Sequence, residues 1–437
     1  MTSSILSKPS FLSGEIKIPG DKSVSHRAIL CSALANSVST VNNLQHSEDV
    51  LNTLNVVRQL GIKIEREETA YKIFGKGLQG LSNPKEDLYF GNSGTGIRLT
   101  AGVLAWQSFN SELKGDFSLS KRPMQRISEP LSTMGAKLLL TAENTPPIKI
   151  IGTTNLSAIS YEMPIASAQV KSAILFAALN AKGVTKITEP LITRNHTELM
   201  FKQIGIDIQV NQNEILLRGQ NEFEGTQIDV PGDFSSAAFL IVGALISPNS
   251  SILIKDVGLN SSRTALIDVL LSMNASIEIH NQRKFGEEEV GDLEVNYSEL
   301  VSCTVDSEII PNLIDELPIL FIASLFAKGE SKFFGIEELK HKESDRLAAM
   351  QSGFEKLGIE TQYTNDVFSI DGKGSDFLLQ EGQIDSFEDH RIAMSFVIAG
   401  LRAKKQIKII NSDCIKTSFP EFISQLDSLG AILNESK

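Results

Sequence analysis

Leu60-Gly61-Ile62-Lys63-Ile64 closes a run in which Val50, Leu54, Val57 and Leu60 step by four, three and three, and it opens an alternating stretch. That spacing predicts an amphipathic helix, then a glycine in the left-handed C-cap position, then a strand. The passage recurs at Met134-Gly135-Ala136-Lys137-Leu138, Ile204-Gly205-Ile206-Asp207-Ile208, Met273-Asn274-Ala275-Ser276-Ile277, Leu357-Gly358-Ile359-Glu360-Thr361 and Leu429-Gly430-Ala431-Ile432-Leu433. Successive pivots lie 74, 70, 69, 84 and 72 residues apart. Intervals of this size are whole supersecondary units, repeated six times. The long fourth interval contains Asn281–Glu294, polar and glycine-containing, which reads as a loop insertion.

Earlier in each unit lies a second helix that is apolar nearly all round: Ala28–Ala35, Ile97–Trp106, Ala173–Ala181, Ala237–Ile246, Leu317–Ala327 and Ile392–Leu401. A helix without a polar face is buried, so each unit is expected to hold one inner and one outer helix against a small sheet. Alternating stretches such as Leu138–Leu140, Ile148–Ile151 and Ile252–Ile254 supply strands. The fold class is α/β (α+β). Three units precede Pro231-Gly232-Asp233-Phe234 and three follow it, with residues 1–20 left as a lone strand that joins the second half. The expected domains are therefore 1–20 plus 233–437, and 21–232, with hinges near residues 20 and 232 facing one cleft.

A chain of 437 residues calls for two domains, and 41% hydrophobic with 22% charged residues is ordinary for a globular protein. The net charge of −12 argues against a nucleic-acid binder, so any cationic site is local. Cys31, Cys303 and Cys414 are widely separated and form no CxxC pair, which reads as free thiols in a reducing compartment. The first twenty residues lack the apolar core of a signal peptide. The longest apolar run, Ala237–Ile246, is about half a membrane span. A cytosolic protein with no membrane partner is expected.

The starts of the helices carry the chemistry. Pro19-Gly20-Asp21-Lys22-Ser23-Val24-Ser25-His26-Arg27 puts two cations and two hydroxyls where a helix exposes unpaired N–H groups and the positive end of its dipole, a site for an anion. Other inner helices begin Asn92-Ser93-Gly94-Thr95-Gly96-Ile97-Arg98, Ser167-Ala168-Gln169-Val170-Lys171, Asp233-Phe234-Ser235-Ser236, Asp315-Glu316 and Glu388-Asp389-His390-Arg391. Outer helices begin with Lys121-Arg122-Pro123, Thr193-Arg194-Asn195-His196, Ser262-Arg263 and Lys340-His341-Lys342-Glu343-Ser344-Asp345-Arg346. Cations on equivalent positions of a repeat point to one cleft for a polyanionic small molecule, where arginine grips carboxylate or phosphate bidentately. Asp233, Ser262 and Glu388 read as ordinary caps. The Asn92–Gly96 loop lacks the Walker lysine and the dinucleotide glycine spacing, which argues against a nucleotide. The histidines show no metal-ligand spacing, and His341 and His390, among charged residues, read equally as orienters of neighbours or as solvated side chains. Asp315 and Glu343, carboxylates among cations, are the candidates for proton transfer, with simple ion pairing as the alternative.

Leu88–Thr100, with Gly91-Asn92-Ser93-Gly94-Thr95-Gly96, and Lys340–Leu347 resemble the two signature segments of the 5-enolpyruvylshikimate-3-phosphate synthases, a family of enolpyruvyl transferases. Pro19–Arg27, Lys121-Arg122-Pro123-Met124, Pro231–Ala237, Asp389-His390-Arg391 and Ser418-Phe419-Pro420 fit the same family, and the match runs from about residue 15 to 430. The resemblance implies a two-domain inside-out α/β barrel of six βαβαββ-type repeats, three per domain, acting as a monomer without metal or organic cofactor. It implies transfer of the carboxyvinyl group of phosphoenolpyruvate to the 5-hydroxyl of shikimate 3-phosphate. It assigns shikimate 3-phosphate to Lys22, Ser23, Arg27, Ser167, Gln169, Asp315 and Lys342, and phosphoenolpyruvate to Lys22, Gly94, Arg122, Gln169, Arg346 and Arg391. Asp315 would handle the hydroxyl proton, and Glu343 and Lys22 both stand as donors to the methylene. The chain departs from many members at Ala168, in place of a serine, and at Thr193, in place of another. Before the final Ser418-Phe419-Pro420 an ungapped alignment puts Thr417 where some members carry a phosphate-contacting lysine, with Lys416 one residue earlier. The sister transferase for UDP-N-acetylglucosamine would carry a cysteine near Lys121-Arg122, and none lies between Cys31 and Cys303. A silent anion-binding homologue would have no need of Asp315 and Glu343.

Overall fold

All six pivots adopt the left-handed conformation: φ is 87° at Gly61, 105° at Gly135, 83° at Gly205, 68° at Asn274, 75° at Gly358 and 100° at Gly430. The computed structural model describes residues 3–220 and 222–436. Each pivot ends an outer helix, and each outer helix follows an inner one. The pairs are α1 (Lys22–Leu34) and α2 (Glu48–Gln59), α3 (Gly94–Leu104) and α4 (Gln125–Thr133), and α5 (Ala168–Ala178) and α6 (His196–Gln203). They continue with α7 (Phe234–Ile246) and α8 (Ala265–Ser272), α9 (Leu317–Leu325) and α10 (Arg346–Lys356), and α11 (His390–Gly400) and α12 (Phe422–Ser428). The inner helices are buried almost end to end, α7 at every residue, as their lack of a polar face requires.

Every repeat folds as strand, inner helix, strand, outer helix and a closing antiparallel pair, a hairpin in all but the last, and the strands lie in the spatial order first, second, fourth, third. In the second repeat these are Leu88–Tyr89, Ser111–Lys114, Ile148–Ile151 and Lys137–Leu139, with the first pair parallel and the others antiparallel. A parallel pair needs a crossover, which the inner helix supplies, whereas the antiparallel pair closes through a short turn. Three repeats complete themselves with borrowed strands. Gln227–Asp229 pairs in parallel with Val38–Asn42 and serves as first strand of the first repeat.

The two other borrowed strands correct the reading of residues 1–20 as a lone strand. Ser4–Lys8 and Ser13–Lys17 are separate strands in different sheets. Ser4–Lys8 lies between Ile407–Ile410 and Ile432–Ser436 as the fourth strand of the last repeat. Ser13–Lys17 pairs with Ser251–Gly258 as the first strand of the fourth. The reading of Asn281–Glu294 as a loop is also corrected. It lies within a long hairpin of Ser276–Phe285 and Glu288–Asn296, turned at Gly286 with φ 59°. Most of its polar residues, though not Glu288 and Asp292, are the solvated faces of strands whose other face buries Ile277, Leu293 and Val295.

The chain divides into two compact units. One holds the residues up to Pro19, then Gly232–Arg283 and Glu289 onward, and the other holds Gly20–Pro231 with Lys284–Glu288. Each has its own apolar core. Among the described residues no helix is long and apolar enough to cross a membrane.

Candidate active site

Five of the six inner helices are capped by their own N-cap side chain. Asp21, Ser93, Ser167, Asp233 and Asp389 accept backbone N–H bonds from Val24, Gly96, Val170, Ser235 and Arg391 at 2.8, 3.0, 3.4, 2.8 and 2.9 Å. Asp389 therefore takes the role expected of Glu388. Ser262 is likewise no helix cap: the N-cap of α8 is Thr264, and the Ser262 hydroxyl donates to Asn260 at 2.6 Å. The N-cap of α9, Glu316, makes no capping bond, and Pro318 removes one of the N–H groups it would serve.

In the unit containing residues 20–231, the first turns of α1, α3 and α5 gather polar groups. Lys22 Nζ lies 3.1 Å from Asp49. Arg27 is 2% exposed and donates from Nε to Thr197 Oγ1 at 2.7 Å, and through its two terminal nitrogens to Ser172 Oγ and the Ser23 carbonyl at 2.8 Å each. No carboxylate contacts it among the described residues. Burial pulls its guanidinium down to about 10 against the partial support of Glu198, Asp21 and Glu288. Beside it, His26 is buried between Thr53 Oγ1 at 2.8 Å and Ser93 Oγ at 3.2 Å, tying α1 to the middle of α2 and the start of α3. Burial, with Lys22 and Arg27 nearby, lowers its imidazole to about 3, so it is neutral.

Gly94 is a site of close approach. A Cβ there would meet Arg98 Nη1 at 2.9 Å and Arg122 Nη1 at 3.0 Å, so two guanidinium groups converge on the first residue of α3. Arg98 also reaches Gln169, whose amide nitrogen donates to Thr95 Oγ1 at 3.0 Å, and Arg122 donates to Asn92. The structure thus joins Gly94, Arg122 and Gln169 through Arg98, a residue visible at the helix start but not assigned a role from sequence. Ser167 is occupied as the cap of α5. Lys171 is sealed inside, 2.9 Å from Glu189 and 2.7 Å from Glu198, and its ammonium also donates to the Thr193 carbonyl at 3.3 Å. The Thr193 hydroxyl donates to Glu189.

The other unit is built on ion pairs. Asp315 lies 3.3 Å from Arg346, 3.6 Å from Lys342, 3.9 Å from Arg263 and 4.0 Å from Arg391. Arg346 also binds Glu343 and donates from Nε to Asp389 at 2.9 Å. Arg391 donates to the Asp315 carbonyl at 2.7 Å and to Glu316 at 3.4 Å, and Ser235 and Arg263 complete the Glu316 surroundings. Arg263 also lies 3.9 Å from Asp233, so five carboxylates and four cations meet here. Burial opposes charge on Arg346, but Asp389, Glu343 and Asp315 more than offset it and raise its guanidinium. Burial likewise works against the Asp389 carboxylate, yet Arg346 keeps it below the usual range. Sequence reasoning named Asp315, Lys342, Glu343, Arg346 and Arg391 and left out Glu316 and Arg263. Their signal was their position beside Asp315 and Ser262 at equivalent helix starts.

The cysteines offer no nucleophile at neutral pH, since burial raises the Cys31 and Cys303 thiols and pushes Cys414 up to about 12. Glu278, His280 and Glu294 meet across the long hairpin, a grouping that histidine spacing alone did not reveal, and they read as exposed ion pairs.

The family profile of EPSP synthase (3-phosphoshikimate 1-carboxyvinyltransferase) matches residues 6–426. The 3-phosphoshikimate 1-carboxyvinyltransferase of Legionella pneumophila subsp. pneumophila is 45% identical over 426 residues, 97% of each chain. That of Methylococcus capsulatus is 44% identical over 420 residues, 96% of this chain and 95% of its own. A solved structure of EPSP synthase from Acinetobacter baumannii superposes with a TM-score of 0.90 at 41% identity, covering all of both chains.

Proposed function

The chain belongs to the EPSP synthase family, and we propose that it transfers the enolpyruvyl group of phosphoenolpyruvate to the 5-hydroxyl of shikimate 3-phosphate, releasing phosphate. It is a transferase of the route to chorismate and the aromatic amino acids. The observation that carries the site assignment is the setting of Arg27, a buried guanidinium whose partners are all neutral. Such a group keeps its field for an incoming dianion.

In this reading the shikimate phosphate binds through Lys22, Ser23, Arg27, Ser167 and Gln169, and its ring reaches Asp315 and Lys342. Ligand would thus draw the two units together, with the chain hinging near residues 20 and 232. Phosphoenolpyruvate is held by Lys22, Gly94, Arg122, Gln169, Arg346 and Arg391. Two anionic substrates repel each other, so the rate gain comes from cations that hold them at reacting distance. The 5-hydroxyl oxygen bonds to the enol carbon, its proton passes to Asp315, and the methylene takes a proton to become methyl. The tetrahedral adduct then loses a methyl proton and expels phosphate, restoring the double bond. Glu343 and Lys22 stand as the acid for the methylene. Glu343 is held by Arg346, so an anion arriving at that guanidinium would loosen the carboxylate and favour its protonation. The reaction needs no metal or organic cofactor, and the enzyme works as a cytosolic monomer.

A coupled phosphate-release assay tests the reading. Phosphate should appear only with shikimate 3-phosphate and phosphoenolpyruvate both present, and EDTA should leave the rate unchanged. A requirement for UDP-N-acetylglucosamine, or for a divalent metal, would overturn it.

A further inference from the structure

The fourth repeat differs from the other five in its hairpin. Its strands, Ser276–Phe285 and Glu288–Asn296, are 10 and 9 residues long, whereas Lys137–Leu139 and Ile148–Ile151 of the second repeat are 3 and 4. The extension carries Lys284–Glu288 out of the unit that holds the rest of the hairpin and into the one containing residues 20–231. A polar tip that only extended into solvent would leave its side chains exposed. Glu288 is instead buried, and its carboxylate accepts from His196 Nδ1 at 2.7 Å, with the imidazole equally buried. The tip is closely seated: a side chain at Gly286 would run into Gln203 of α6.

His196 is the first residue of α6, and Thr197, next to it, is the acceptor for Arg27 Nε. The Thr197 hydroxyl also meets Ser172 at 2.7 Å, and Ser172 accepts from a terminal nitrogen of Arg27 at 2.8 Å. Any rotation of the first turn of α6 would therefore move Thr197, one of the three acceptors that aim Arg27, and break its contact with a second, Ser172 of α5. A carboxylate beside that turn also complements the positive end of the helix dipole.

We propose that Glu288, acting through His196 and the first turn of α6, is a positioning residue for the binding of the phosphate group at Arg27. This rests on the reading that Arg27 holds the phosphate of shikimate 3-phosphate. The guanidinium also feels the Glu288 charge directly, since that carboxylate is among the groups that oppose the effect of burial on Arg27. Glu287, one residue earlier, provides the internal contrast. It pairs at 3.1 Å with an exposed Lys202 on the outer part of α6, a pair that contributes little.

The test is calorimetric titration of shikimate 3-phosphate into the full-length parent and into the Glu288→Ala, Glu288→Gln, Glu287→Ala and Arg27→Ala proteins, with steady-state kinetics and thermal midpoints alongside. Glu288→Ala should weaken shikimate 3-phosphate about five- to twentyfold, while kcat at saturation and the KM for phosphoenolpyruvate stay within about twofold. Glu288→Gln, whose amide oxygen still accepts from the imidazole, should recover most of that loss, and it keeps the test open if the alanine variant folds poorly. Glu287→Ala should bind as the parent does. Unchanged affinity in Glu288→Ala, or equal losses in the Glu287 and Glu288 variants, would overturn the proposal. If Arg27→Ala binds shikimate 3-phosphate as tightly as the parent, the assignment of Arg27 falls and the positioning role of Glu288 falls with it.

Discussion

Arg27 and Arg346 are both sealed from water, at 2% and 1% exposure, yet the protein holds them in opposite ways. Arg27 is fixed by a threonine, a serine and a carbonyl, and burial lowers its guanidinium to about 10. Arg346 is ringed by Asp389, Glu343 and Asp315, which raise it in spite of burial. A charge held by neutral partners costs stability and leaves its field available to a ligand. A charge ringed by carboxylates is already neutralised, and it fixes those carboxylates in place. In the proposed reaction Arg27 would grip an anion, and Arg346, besides facing phosphoenolpyruvate, would fix Asp315 and Glu343 where protons move.

The largest expected effect tests whether Asp315 belongs on the chemical side of that contrast. Asp315→Asn should cut turnover by roughly two to four powers of ten at saturating levels of both substrates, the usual share of general acid–base catalysis. Its affinity for shikimate 3-phosphate should fall much less, because an amide still bonds the hydroxyl. Near-normal turnover would reduce Asp315 to a counter-ion of Arg346 and Lys342.

Next comes the structural cost of each arginine. Arg346→Met takes the guanidinium partner from the fully buried Asp389 and one cation from Glu343 and from Asp315, and should destabilise the fold by about 3–5 kcal/mol in urea denaturation. Arg27→Met removes a charge that burial already penalises, and should cost no more than about 1 kcal/mol of folding stability. Its effect should appear in binding, as a loss of about ten- to a hundredfold in affinity for shikimate 3-phosphate. Equal stability losses in the two variants would erase the comparison.

A further test concerns His26, the neighbour of Arg27. Burial holds its imidazole at about 3, below the ordinary 6.5, so between these values the unfolded chain binds a proton that the folded one refuses. Its contribution to stability is flat above about pH 6.5 and falls by about 1.4 kcal/mol per unit as the pH drops below it. His26→Gln removes this slope, so the stability gap between parent and variant should narrow from pH 7 to pH 5. A constant gap would mean that the imidazole is not excluded from water.

The pivots were legible because a left-handed residue leaves a chemical mark, glycine in five places and asparagine in one. The inner helices were legible because burial on all sides erases the polar stripe. The hairpin at 276–296 was not, since its solvent-facing residues carry the same polar signature as a loop, and only the partner strand distinguishes them. Nor were the two strands within residues 1–20, whose partners lie more than two hundred residues away. At the site, sequence showed which helix starts carry charge but not which of those charges meet. Glu316 illustrates the gap. Its composition is that of an ordinary helix start, and only Pro318 and the nearness of Arg391, Arg263 and Ser235 turn it from a cap into an ion-pair partner.

The borrowed strands also set a timetable. Ser4–Lys8 leaves the ribosome about 400 residues before the strands on either side of it, Ile407–Ile410 and Ile432–Ser436. At about 5–20 residues per second that wait is roughly 20–80 s. Over the same period Gly20–Pro231 can complete its three sheets, since Gln227–Asp229 closes the first of them from within. One half of the enzyme can therefore fold while the other keeps a central strand unpaired until its two partners have been made. A strand whose two edges stay open that long is what a nascent-chain chaperone would be expected to cover.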